Sequence, residues 1–285
     1  MSAAATRAAA AAGALRALAA WQYRGAVRSR WVVIMAAIYG LLSVTVTLLA
    51  FRSVRELGLV GIGPTAATLI NVGVLLPSLI GLLLGAGAIV GPREDGSLAM
   101  VAAQPIGRAT IVWASFLGLT GAIWTALGIG LGAAMVVISG VARAADLPAI
   151  AALVAATLGV AATGVAIGLA ASAIASSRAQ AVAAAVAMWI VFALGVDLAL
   201  AAIAPSLRIG PQMLLVAILL NPLESARILA LLGADLEGTA LGPFGAYAIG
   251  AFGARGTIAL LFVELIAWTV LALVVARWAL HRRDL

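Results

Sequence analysis

The chain has 285 residues, of which 65% are hydrophobic and only 9% charged, against roughly 25% charged in a soluble domain, so it belongs in a bilayer. It contains no cysteine, which excludes disulfides, thiolate metal sites and a cysteine nucleophile. All seventeen basic residues are arginine, and without a lysine there is no P-loop, so ATP-derived energy must come from a different chain; in a membrane protein the net charge of +7 speaks of topology rather than nucleic acid.

At the N-terminus, "TRAAAAAGALRALAAWQ" faintly resembles a signal peptide, but Arg16 breaks the apolar run, and the segment is expected to stay uncleaved. Wound at about 100° per residue, Arg16, Arg24, Arg28 and Arg30 share one arc, with Leu15, Leu18, Ala19 and Ala26 opposite and Trp21 and Tyr23 near the borders. This pattern predicts a helix lying in the cytoplasmic interface over residues 1–30. A disordered basic tail, mainly residues 1–12, is the alternative.

Six segments approach the roughly 20 residues that a spanning helix needs: Trp31–Ala50, Leu69–Val90, Thr110–Ser139, Pro148–Ile174, Ala181–Ala204 and Thr257–Ala276. With the N-terminus inside, eleven arginines fall on the cytoplasmic side and six outside, which favours both termini in the cytoplasm. Glu56, Asp146, Glu224, Asp235 and Glu237 further balance the outer segments. The expectation is an all-α, six-span helical bundle over residues 31–285.

Between spans two and three, "GPREDGSLAMVAAQPIGR" at 91–108 forms a polar island bracketed by Pro92 and Pro105. Gly96–Gln104 has room for a short helix with Leu98, Met100 and Val101 on its apolar side. Exposed apolar side chains framed by charge suit a docking element for a soluble partner. They suit equally an interfacial helix resting on lipid headgroups.

Between spans five and six, Gln212–Leu220 and Leu223–Leu232 are each too short to cross, and Asn221-Pro222 joins them. A re-entrant element dipping in from the outer side fits this pattern; so does a surface loop of two amphipathic helices. Asn221 is placed to cap the second half, Pro222 to start it and Glu224 to favour its first turn.

Two acids lie within spans, where an unpaired charge costs about 3 kcal/mol at the bilayer centre. Counted from the span ends, Asp197 and Glu264 both sit about 10–12 Å below the outer surface. They form a candidate intramembrane polar site sharing a proton or cation, or else fix helix packing through hydrogen bonds. GxxxG pairs at Gly81/Gly85, Gly87/Gly91, Gly128/Gly132 and Gly164/Gly168 allow close helix approach. His281 reads as a solvated tail residue. Met35, Met135 and Met188 are soft atoms on three different spans, read as packing rather than as a metal path.

The loop resembles the motif of ABC-2 type transporter permeases, in which R-E-x-G-T-L leads on to P-I-x-R. Arg93, Glu94, Gly96, Ser97, Leu98, Pro105, Ile106 and Arg108 match it, with Ser97 for the usual Thr. "YRGAVRSRW" at 23–31, "LNPLESARIL" at 219–228, "GPFGAYAIGAFGARG" at 242–256 and the terminal "RRDL" are similar to one branch, the permeases of nitrous-oxide-reductase maturation transporters. The resemblance implies a homodimer in the cytoplasmic (inner) membrane. It makes Arg93, Glu94, Gly96, Ser97, Leu98, Pro105 and Arg108 the coupling element for a separate ATPase subunit, which would hold ATP and Mg while this chain binds neither. It also makes the outer segment, with Asn221, Pro222, Glu224 and Arg227, a cap facing an extracytoplasmic partner in copper-site assembly. Rival readings are an ABC-2 exporter of a drug or lipid, and an ATPase-independent scaffold or secondary transporter.

Overall fold

Small residues decide where the helices of this chain meet. The computed structural model describes residues 3–57, 64–97, 107–139, 147–203 and 210–282. In chain order the helices are α1 (Ala3–Arg28), α2 (Arg30–Leu57), α3 (Pro64–Ala86), α4 (Val90–Glu94), α5 (Arg108–Ser139), α6 (Leu147–Ile174) and α7 (Arg178–Ile203). Two short helices follow, α8 (Pro211–Leu219) and α9 (Pro222–Ala234), then a 3-10 turn at Thr239–Leu241 and α10 (Gly242–His281). Every regular element among the described residues is helical.

Among the described residues, five stretches are long and apolar enough to cross a membrane: Gly73–Glu94, Arg108–Val136, Leu147–Ile174, Arg178–Val196 and Phe244–His281. Two bent pairs raise the count to as many as seven, α1 with α2 at 65° and α8 with α9 at 113°. The six expected spans fall inside that range. The helix that contains the last one starts earlier, because the glycine-rich run after Gly242 is itself helical. Gly253, with φ 71° and ψ 163°, breaks α10 just before Thr257, where the span had been placed; glycine takes this backbone without a Cβ penalty.

α6 is the hub. It is buried almost all round from Ala156 to Ala173, with α3, α9 and α10 packed along it. α3 and α6 interlock through two of the four GxxxG pairs. A Cβ on Gly81 or Gly85 would run into the carbonyl oxygens of Ala161 and Val165, and one on Gly164 or Gly168 into those of Ser78 and Leu82. Gly128, Gly132 and Gly91 have open space in place of a Cβ among the described residues; their spacing alone marked no contact.

Pro77 lies inside α3 and has no N–H for the carbonyl of Gly73, one turn earlier. The hydroxyl of Thr157 on α6 donates to that carbonyl at 2.9 Å. A neighbouring helix thus satisfies the group the proline orphaned, which lipid has no means to do.

α1 packs on α5. Leu15, Leu18, Ala19 and Ala26 turn inward while Arg16, Arg24, Arg28 and Arg30 are exposed. Gln22 Nε2 donates to Ser115 Oγ at 3.0 Å, and the hydroxyls of Tyr23 and Thr125 lie 3.2 Å apart.

Candidate functional site

The polar motif sits where four helix ends converge. α3 turns at 87–89 into α4, whose first N–H groups lack a cap from their own segment. Ser172, fully buried on α6, supplies one: its Oγ accepts the N–H groups of Ile89 and Val90 at 3.0 and 2.9 Å.

The next two motif residues grip opposite helix ends. Arg93 Nη1 donates to the carbonyl of Ala175, just past the C-terminus of α6, at 3.1 Å. Glu94 Oε1 accepts the N–H of Arg178 in the first turn of α7 at 2.9 Å. A cation on the carbonyl end of one helix and an anion on the amide end of the next match both helix dipoles. Gly96, with φ 72°, then ends α4 in the left-handed conformation that favours glycine. Ser97 Oγ reaches back to the Pro92 carbonyl at 3.3 Å.

The arginine closing the motif does the same elsewhere. Arg108, at the start of α5, donates through Nη1 to the carbonyls of Leu280 and His281 at 3.2 and 2.7 Å, holding the last turn of α10. Residues 98–106 lie outside the described residues, and with them Leu98, Pro105, Ile106 and most of the expected helix at 96–104. What is described is a clasp: one loop whose charged residues hold the adjoining ends of α6, α7 and α10.

At the opposite end, Asn221 is 2% exposed and works in two directions. Its Oδ1 caps α9 by accepting the N–H groups of Leu223 and Glu224 at 3.1 and 3.4 Å, and its Nδ2 donates to the Phe192 carbonyl of α7 at 2.7 Å. Pro222 starts α9, and Glu224 pairs with Arg227 at 2.8 Å. Leu223, Ser225, Ala226, Ile228, Leu229 and Leu232 are all buried. α9 is therefore enclosed by protein, unlike an amphipathic helix on a wet surface.

Glu264 on α10 faces the bend between α8 and α9. It is 7% exposed, and neither carboxyl oxygen has a hydrogen-bond partner among the described residues. The Ser225 hydroxyl and the Trp268 indole lie beside it. Both are engaged with α8 carbonyls, Ser225 with Ile218 at 3.2 Å and Trp268 with Leu219 at 3.4 Å. Asp197 lies in α7, and its side chain falls outside the described ones. Met35, Met135 and Met188 sit on α2, α5 and α7.

Ser172, Ser225 and Trp268 had no sequence signal as site residues. A serine in an alanine-rich span has no pattern that marks its target. For Trp268 the chain offers no more than the general rule that an indole N–H within a span seeks a hydrogen-bond partner, which does not single it out.

The sequence model of the family described as ABC-2 family transporter protein matches residues 16–285. The chain is 28% identical over 268 residues to a probable ABC transporter permease protein NosY of Stutzerimonas stutzeri, covering 91% of this chain and 94% of that one. It is 29% identical over 215 residues to a probable ABC transporter permease protein NosY of Pseudomonas aeruginosa, covering 73% and 78% respectively.

Proposed function

Because the chain belongs to the ABC-2 family of transporter proteins, we propose that it is the membrane subunit of an ABC transporter for nitrous oxide reductase copper-site maturation. It works as a homodimer of six-span subunits in the inner membrane, with both termini in the cytoplasm. ATP and Mg are bound by a separate ATPase subunit seated against the loop at 91–108. The observation that carries this reading is the clasp. A push on one short loop is delivered through Arg93, Glu94 and Arg108 to the ends of three long helices.

At the far end, α8 and α9 form a re-entrant cap through which movement reaches an extracytoplasmic partner, with Asn221, Pro222, Glu224 and Arg227 holding its shape. Asp197 and Glu264 form a polar site in the outer half of the membrane. Copper does not pass through this subunit: Met35, Met135 and Met188 lie on three helices, and Met188 is 38% exposed on the outside of the bundle. Movement, rather than a metal path, is the output.

The absence of cysteine makes the test direct. A single cysteine at Ser97 should crosslink to the ATPase subunit in membranes, and one at Glu237, at the other end, should not. Crosslinking from Glu237 alone would invert the topology, and none from Ser97 would remove the loop from the motor contact.

A further inference from the structure

At the clasp end of the bundle, α1, the α1–α2 corner, the end of α3 and the start of α7 enclose an open cavity of about 520 Å³. That is within the roughly 300–1,000 Å³ of small-molecule sites. Leu83, Leu119 and Val182 give it an apolar wall. Gln22, Ser29 and Arg178 give it polar groups, and Trp21 and Trp31 line it while standing 54% and 38% exposed at the protein surface.

Arg178 is the centre of the argument. Its main-chain N–H is held by Glu94, but among the described residues its guanidinium has no hydrogen-bond or ion-pair partner. It lies beside Gly87, where a Cβ would come within 3.8 Å of its nitrogens. No acidic residue among the described ones lines the cavity. The stretch of α1 and α2 that does so adds exposed Arg24, Arg28 and Arg30.

A guanidinium binds phosphate oxygens in a bidentate fork, tryptophans favour the headgroup level, and an apolar wall accepts the glycerol and first acyl carbons. A water-soluble anion has no use for that wall. We infer that this cavity binds the headgroup of an anionic phospholipid of the inner leaflet, with Arg178 on its phosphate. The inference rests on the reading that this end of the bundle faces the cytoplasm. The bound lipid touches the residue whose backbone anchors Glu94, so it stabilises the α6–α7 corner that the clasp holds.

The test uses the full-length permease with its ATPase subunit in nanodiscs, probed with photoactivatable phosphatidylglycerol and with phosphatidylcholine carrying the same chains. Phosphatidylglycerol should label residues 21–31 and 83–88 about fivefold more than phosphatidylcholine, the preference one arginine gives near an anionic surface. That excess should vanish in Arg178→Ala and in Gly87→Leu, which fills the space beside the guanidinium and decides the matter alone if Arg178→Ala fails to fold. Equal labelling by the two probes, or an excess unchanged in the variants, overturns the proposal. So does an excess erased by inorganic phosphate, which assigns the site to a free anion. Co-purification of the ATPase subunit, read in the same preparation, tests the proposed function separately.

Discussion

Glu94 Oε1 accepts the main-chain N–H of Arg178 at 2.9 Å, joining residues 84 positions apart. The motif glutamate therefore caps a spanning helix of its own chain. Glu94→Ala should cost about 1 kcal/mol, as loss of a helix cap does, and lower ATP hydrolysis coupled to the membrane subunit. Glu94→Gln, which keeps an acceptor oxygen, should lose less of both. Thermal unfolding and ATPase rates of the purified complex check this; an unshifted midpoint in Glu94→Ala would show the cap to be idle.

Arg108 holds the last carbonyls of α10 through one guanidinium nitrogen. Arg108→Ala should let that turn fray, seen as faster amide hydrogen exchange over residues 279–282 with α3 unchanged. Arg108→Lys should fall between, since an ammonium keeps the charge but not the planar fork. Unaltered exchange at the end of α10 would count against the clasp.

Thr157 donates to the carbonyl that Pro77 leaves without an N–H. Thr157→Val keeps the shape and removes the donor, and it should destabilise the subunit by about 1–3 kcal/mol, the cost of a buried unsatisfied group. Thr157→Ser should stay near wild type. Equal unfolding midpoints for the valine and serine variants would dismiss this hydrogen bond.

Gly168 and Gly128 carry the same spacing and should respond oppositely. A Cβ at Gly168 meets the Leu82 carbonyl, whereas at Gly128 it meets nothing within 4 Å. Gly168→Ala should cost about 1–3 kcal/mol as α3 and α6 are forced apart. Gly128→Ala should be neutral, or gain part of the roughly 0.5–1 kcal/mol of helix preference for alanine. Paired melting curves decide, and similar losses at both sites would refute the interlock.

The long apolar runs, the helical phase of Arg16, Arg24, Arg28 and Arg30, and the start of α9 at Asn221-Pro222 were legible because each rests on local periodicity or capping chemistry. The identity of the loop at Arg93 and Glu94 was legible from its motif, but the destination of those side chains was not. Ala175 and Arg178 lie more than eighty residues away, and nothing near them in sequence marks a partner. The glycine pairs were half informative for the same reason: spacing permits close approach, while the facing helix decides whether it happens. The helical segment ahead of Gly253 was not legible, because Gly245 and Gly250 argue locally against a helix; packing of Phe244 and Ala248 into the core holds it, while Gly253 itself leaves helical geometry.

The interlock of α3 with α6 also sets a timetable for biogenesis. Eighty-three residues separate Gly81 from Gly164, so at about 5–20 residues per second the ribosome needs on the order of ten seconds to supply the second half of the pair. Throughout that interval α3 waits in the membrane with its glycine groove open and the Gly73 carbonyl still without its threonine. Pausing of translation between the two helices lengthens that exposure.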